Sequence, residues 1–401
     1  MRCAQRIEAM EYSPIRNLYP LEQKVKEEGV TVIHANIGQP DIPTPSLFWD
    51  CLGSSLQGVS HLPYGPSQGS LPLRNAFVDF YTRRGTDITL DNVLVTTAAS
   101  EALLFSLLAV ADSGDEVLVF EPFYTNYRTL CATAGLKMVV IPTYWEKGFS
   151  PPSPQEILPY ITKKTKALLL CNPNNPTGVV YERQELEKLL DFCKGHDLWV
   201  IADEVYRDFV YGTESLSVLD FPSGRACGIV VDSLSKRYSA CGARLGALIC
   251  ANTELNNQVL KLAQGRLSPP TIEQDAAAHL IEHGDQEILQ MKRLYEQRIA
   301  VLCESLDALG HVEYVRPRGA FYVMVRLPVD DSLEFAKFLL TSVRVDGHTL
   351  LVAPASGFYA DAHRGKQEIR LAAVLDTPIL LQAVEILKKG LELYRTKTAM
   401  S

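Results

Sequence analysis

The chain lacks any apolar run long enough to cross a bilayer. Its longest uncharged apolar stretch, Ala102 to Ala111, is far short of the ~20 residues a spanning helix requires. It also lacks a basic excess: 39 Lys and Arg against 47 Asp and Glu give a formal charge of −8, which argues against nucleic acid or an anionic membrane as partner. The nine cysteines contain no C-x-x-C pair, and an odd, scattered set fits neither a disulfide framework nor a zinc site. Packed, reduced thiols and no metal are the expectation. The opening stretch MRCAQRIEAMEYSPIR has no apolar signal core, so a cytoplasmic protein is predicted. Neither a G-x-x-x-x-G-K-[ST] loop nor a G-x-G-x-x-G fingerprint occurs, which removes the usual nucleotide-phosphate signatures. There is no internal repeat and no low-complexity tract.

What is present is a globular composition with 47% hydrophobic and 21% charged residues, over 401 residues. Short β-rich runs alternate with helical stretches between about residues 90 and 250: Val93–Thr97, Val117–Phe120, Met138–Ile141, Ala167–Cys171, Leu198–Ala202, Ile229–Asp232 and Leu245–Cys250. Several are continuously apolar, as strands buried on both faces require. Gln184–Lys194 places Leu186, Leu189, Leu190 and Cys193 on one helical face. This alternation predicts an α/β fold with a largely parallel sheet covered on both sides. Beyond residue 285, Ile288, Met291, Tyr295, Ile299, Leu302, Leu306 and Leu309 follow steps of three and four and predict one long helix. Short strands at Ala320–Arg326 and Glu368–Ala373 and a helix near Pro378–Tyr394 then suggest a smaller α+β domain. The expected division is an arm and packing segment over 1–45, a large domain over 46–285, and a linker helix with a small domain over 286–401. The first part holds Pro14, Pro20, Pro40, Pro43 and Pro45.

Ligands of open α/β sheets bind outside the carboxyl ends of the strands. Four such ends carry chemistry. Thr97-Ala-Ala-Ser100-Glu opens a helix whose N–H groups and dipole suit a phosphate. Asn172-Pro-Asn-Asn175-Pro-Thr-Gly178 fixes an amide beside a proline. Asp203-Glu-Val-Tyr206 places a carboxylate at the end of a hydrophobic strand. Ser233-Leu-Ser-Lys236, with Arg244 eight residues on, supplies two hydroxyls, a lysine and an arginine. An isolated S-x-x-K is more often a basic surface loop. Four strand ends of matching chemistry favour a site for pyridoxal phosphate, which needs a lysine for its aldehyde and a cradle for its phosphate.

With these residues in place the chain resembles the class I/II aminotransferases of the aspartate aminotransferase-like group, the type I fold of pyridoxal phosphate-dependent enzymes. The likeness covers nearly the whole length and rests on SLSKRYSACGARLG from Ser233, NPNNPTG, ADEVY and the PFYTNY segment from Pro122 to Tyr127. It implies that Lys236 carries the cofactor's Schiff base and moves the proton, and that Asp203 pairs with the pyridine nitrogen. Asn175 and Tyr206 would bond the ring's phenolic oxygen, and Tyr124 would stack on the ring. Ala99, Ser100, Ser233, Ser235 and Arg244 would hold the phosphate, with Tyr64 in LPYGPSQGS reaching it from a second subunit of a homodimer. Gly38 in NIGQPD, Asn175 and Arg370 in EIRLAAV would bind the substrate's α-carboxylate; an arginine grips a carboxylate through two parallel hydrogen bonds.

Two departures stand out. Ala98 occupies a position where many relatives have glycine, and Ser100 one where some dicarboxylate-specific relatives have lysine. Arg16, Arg266 and Arg318 are the alternative cations for a distal carboxylate. The expected reaction is ping-pong amino transfer between an L-amino acid and a 2-oxo acid. A lyase or cyclase on the same scaffold is the alternative, because elimination or cyclisation uses the same Lys236 and Asp203. A non-catalytic cofactor-binding regulator is disfavoured by the shortness of the stretch ahead of the large domain and by the acidic charge of the chain.

Overall fold

The computed structural model describes residues 1–8, 10, 12, 17–361 and 363–400. Pro14 and Arg16 lie outside these described residues. In chain order the strands are β1 Thr31–His34, β2 Val93–Thr96, β3 Glu116–Glu121, β4 Lys137–Pro142, β5 Thr165–Cys171, β6 Trp199–Asp203, β7 Gly228–Ser233, β8 Gly246–Cys250, β9 Glu313–Val315, β10 Tyr322–Arg326, β11 His348–Leu351, β12 Ala353–Pro354 and β13 Glu368–Ala372.

Seven strands form one sheet in the order β2-β8-β7-β6-β5-β3-β4. Every pairing among β7, β6, β5, β3 and β4 is parallel. The exception is β8, antiparallel to both β7 and β2. The chain leaving β7 doubles back after residues 234–245 instead of crossing over the sheet, and a strand that returns beside its predecessor without a crossover is antiparallel. Lys236 and Arg244, both in that connection, therefore stay at one end of the sheet.

All residues of β2, β3, β7 and β8 are buried. Alternate side chains enter opposite layers: Val117 and Val119 join one core, Leu118 and Phe120 the other. This is the cause of the continuous apolar runs in the sequence. The helix Arg183–Gly195 buries Leu186, Leu189, Leu190 and Cys193, the expected stripe.

A four-stranded antiparallel sheet, β12-β13-β10-β9, is built from the C-terminal part. The helix Asp285–Asp307 leads to it and buries Ile288, Met291, Tyr295, Ile299, Leu302 and Leu306. Leu309 falls outside that helix, just before Gly310, whose φ of +68 turns the chain. The N-terminal segment returns through β1, which pairs in parallel with β11. No helix among the described residues is long and apolar enough to cross a membrane.

Candidate active site

The carboxyl ends of β2, β5, β6 and β7 open into one cavity of about 460 Å³. Ala99, Ser100, Tyr124, Asn175, Asp203, Tyr206, Ser233, Ser235, Lys236, Arg244, Gly38 and Arg370 all line it. Only Tyr64, of the residues expected at the site, does not; it is 81% exposed. Arg266 and Arg318 are absent from the wall as well. Arg266 bonds Glu101 and the Ser67 carbonyl, and Arg318 pairs with Glu182.

At the centre, Lys236 donates from Nζ to the Gly38 carbonyl at 2.7 Å. Burial, first, and then the Arg370 and Arg244 charges lower its pKa, so the neutral amine is favoured. Burial is the larger cause, and Arg370 counts for more than Arg244. Asp203 accepts from the Tyr127 hydroxyl at 2.7 Å. Burial pushes its carboxyl up to about 6, against the pull of that hydrogen bond and of Lys236. Its hydrogen-bond partners, the Tyr127 hydroxyl and the Val205 amide, are both neutral. Tyr127 belonged to the PFYTNY stretch but was not assigned; it follows Tyr124 by three residues, and the two rings meet edge to face at 5.5 Å.

At one end of the cavity, the helix Ala98–Val110 starts with N–H groups that have no intrahelical partner. Ala98 adopts φ +56, the left-handed region that glycine occupies without cost. The backbone approach seen with glycine is thus reproduced by an alanine held in that conformation. Gly246 packs against it so closely that a Cβ would sit 2.9 Å from Ala98 Cα. Ser235 and Arg244 complete this end. The Ser233 hydroxyl is engaged with the protein: it accepts from the Ser235 amide and lies 2.9 Å from the Ser235 hydroxyl and 3.1 Å from the Leu245 carbonyl.

At the other end stands Arg370, 2% exposed on β13. It donates to Asn175 Oδ1 at 2.8 Å and to the Asn36 carbonyl at 2.5 Å, and its Nε has no partner. Its guanidinium lies 4.4 Å from the centre of the Tyr322 ring and 5.0 Å from that of Phe358. A buried guanidinium bonded to neutral oxygens is a receptor for an external carboxylate. Asn175, whose Oδ1 is committed to Arg370, also lines the cavity. Tyr322 was not anticipated either. Its hydroxyl meets that of Tyr206 at 2.7 Å, and it fills the space a side chain at Gly38 would need, with a Cβ there falling 1.8 Å from the phenol oxygen.

Among the described residues, one group has metal-ligand spacing: His279, Glu282 and His283, near the end of the helix Gln274–His283 and outside the cavity wall.

A mostly parallel sheet whose strand ends present a lysine, a carboxylate and a helix N-terminus beside Ser235 and Arg244 to one cavity defines a type I aminotransferase architecture. Residues 48–384 match the family model "Aminotransferase class I and II", and the chain belongs to that family. It is 31% identical over 400 residues to an aromatic-amino-acid aminotransferase 2 of Thermococcus litoralis, covering 98% of this chain and 99% of that one. It is 33% identical over 350 residues to an aspartate aminotransferase of Thermotoga maritima, covering 86% and 89%. Among solved structures, an alanine aminotransferase from Pyrococcus furiosus superposes with a TM-score of 0.88 at 30% identity, covering 98% of this chain and all of that one. The aspartate aminotransferase of Thermus thermophilus with maleate gives 0.87 at 28%, over 97% and 100%. The protein is an aminotransferase. The lyase or cyclase alternative finds no support in these relatives, and the regulator reading falls with it.

Proposed function

We propose that the chain binds pyridoxal 5′-phosphate in this cavity and transfers an amino group between an L-amino acid and a 2-oxo acid. The observation that carries this reading is the placing of two groups in one cavity: the buried, acid-free Arg370 and the carboxylate of Asp203, whose hydrogen-bond partners are neutral. The cofactor supplies an aldehyde that forms a Schiff base with amines and a ring that accepts electrons from a substrate Cα bond.

The chain's own residues do the rest. Lys236, made less basic by burial, anchors the aldehyde and afterwards holds and moves a proton at Nζ. Asp203, oriented by Tyr127, keeps the ring nitrogen protonated. The Asn175 amide and the Tyr206 hydroxyl donate to the ring's phenolic oxygen, while Tyr124 stacks on its face. The start of the helix Ala98–Val110, at Ala99 and Ser100, holds the phosphate with Ser235 and Arg244. Ser233 supports Ser235 rather than binding the phosphate directly. Arg370 grips the α-carboxylate beside Gly38.

Tyr64, outside its own cavity, would serve the neighbouring site of a homodimer; its exposure supports this, as does its place in LPYGPSQGS. Residues 46–285 serve as the cofactor domain and 286–401 as the smaller domain, and the β1–β11 pairing supports placing 1–45 on the latter. The nine free cysteines support a cytoplasmic location.

Purified protein should show visible absorbance from bound cofactor, and that absorbance should fall when a preferred amino acid is added without an acceptor. A screen of the twenty amino acids, with pyruvate and 2-oxoglutarate as acceptors, identifies the pair. Cofactor absorbance that no amino acid alters would sink the proposal.

A further inference from the structure

Tyr322 joins the two ends of the cavity. It sits on β10 of the smaller sheet, yet its hydroxyl meets that of Tyr206, in the turn after β6 of the large sheet, at 2.7 Å. Its ring carries the Arg370 guanidinium, and its bulk determines that residue 38 is glycine. We propose that Tyr322 is a positioning residue that donates its hydrogen bond to Tyr206, so that the Tyr206 proton is left to point at the cofactor's phenolic oxygen. This rests on the cofactor reading given above.

Two phenols share one contact, and burial keeps both protonated at neutral pH. The Tyr206 phenol lies well above its ordinary value, and Tyr322 is pushed up to about 12. Two protons serve one hydrogen bond, so one O–H is free. The direction follows from the proton count at Tyr206. Its single proton, once given to the cofactor's phenolic oxygen, leaves its oxygen as an acceptor, so the Tyr322 hydroxyl 2.7 Å away supplies the hydrogen bond between them. A phenol that accepts one hydrogen bond also becomes a stronger donor in its own, as polarised chains do. The arginine that would receive the substrate carboxylate is thereby linked, through one ring, to the proton that faces the cofactor.

Tyr322→Phe removes the hydroxyl and keeps the ring under Arg370. With a weaker donor at Tyr206, the negative phenolic oxygen loses stabilisation, so the pH midpoint of the bound cofactor's absorbance should rise by roughly half a unit. KM for the preferred amino acid should change little. Tyr322→Leu removes ring and hydroxyl together and should add a KM increase of roughly ten-fold, from the lost cation–π contact. Tyr206→Phe provides the reference, with a larger rise in midpoint. A Tyr322→Phe midpoint equal to wild type, alongside a Tyr206→Phe midpoint that moves, would overturn the assignment. Wild-type protein without cofactor absorbance would instead overturn the reading of the site, and this assignment with it.

Discussion

Lys236 and Arg237 are neighbours in sequence and opposites in role. Lys236 faces the cavity, touches only a carbonyl among its polar partners, and is made less basic by burial. Arg237, 1% exposed, turns the other way and lies between two carboxylates, Asp208 and Asp232. Burial works against its charge too, but those carboxylates hold its pKa well above the ordinary value. Around it Tyr81 donates to Asp232, Arg84 lies 3.7 Å from Asp208, and the guanidinium stacks 4.0 Å from the Phe80 ring centre. One strand end thus feeds two regions: a cavity whose charges are left unbalanced for ligands, and a buried network whose charges are balanced by the protein. The first should govern rate and the second stability.

The largest effect should separate these at once. Lys236→Ala is expected to lower turnover by at least about 10³–10⁴-fold through loss of the proton carrier. Its denaturation midpoint should hold or rise, since a buried amine without a carboxylate partner has been removed. Steady-state assays beside urea unfolding of the same sample check both halves. Arg237→Met should do the reverse. Removing one member of a buried ionic cluster costs about 3–5 kcal/mol, because Asp208 and Asp232 stay buried without it. A variant that unfolds like wild type but turns over slowly would break the division.

Asp203 gives a pH signature. Its carboxyl lies at about 6 in the folded protein against an ordinary 3.8. Folding therefore takes up a proton between these values, and cofactor-free protein loses stability as pH rises from about 4 to about 6. Asp203→Asn abolishes that dependence and should leave the cofactor-free protein more stable at pH 7 by about 2–3 kcal/mol. Unfolding curves of stripped wild type and variant at pH 4.5 and pH 7 test the sign; equal differences at the two pH values would refute it. The smallest change concerns backbone. Ala98→Gly relieves about 1 kcal/mol of left-handed strain and increases unfolded-chain entropy by a comparable amount, for a net gain between zero and about 1 kcal/mol. Thermal unfolding is sensitive enough to show it. A loss beyond 1 kcal/mol would mean that the buried methyl is held by packing.

The strands were legible because burial on both faces leaves continuous apolar runs, and the chemistry was legible because it sits where those runs stop. The bounds moved by a residue or so: Asp203 ends β6 rather than following it, and β2 stops at Thr96. Harder to read was anything created by distant contact. Tyr127 looks like one more aromatic in PFYTNY until Asp203, 76 residues on, accepts its hydroxyl. Tyr322 follows Phe321 at the start of a short strand, and nothing local marks its meeting with Tyr206, 116 residues away. The commitment of Ser233 to its own turn and of Arg266 to Glu101 likewise depends on where those partners lie.

By itself the sequence determined the α/β class, the four strand ends that converge and the identity of the lysine, carboxylate and arginines placed there. Each depends on local pattern: periodicity, a strand's end, a turn's residue types. The tertiary structure decided which of those groups are left without a partner. The energy of a buried charge is set by everything within a few ångströms, whatever its distance along the chain. Hence Lys236 and Arg237, adjacent and both basic, could be told apart only once the fold had paired one with two carboxylates and bonded the other to a carbonyl.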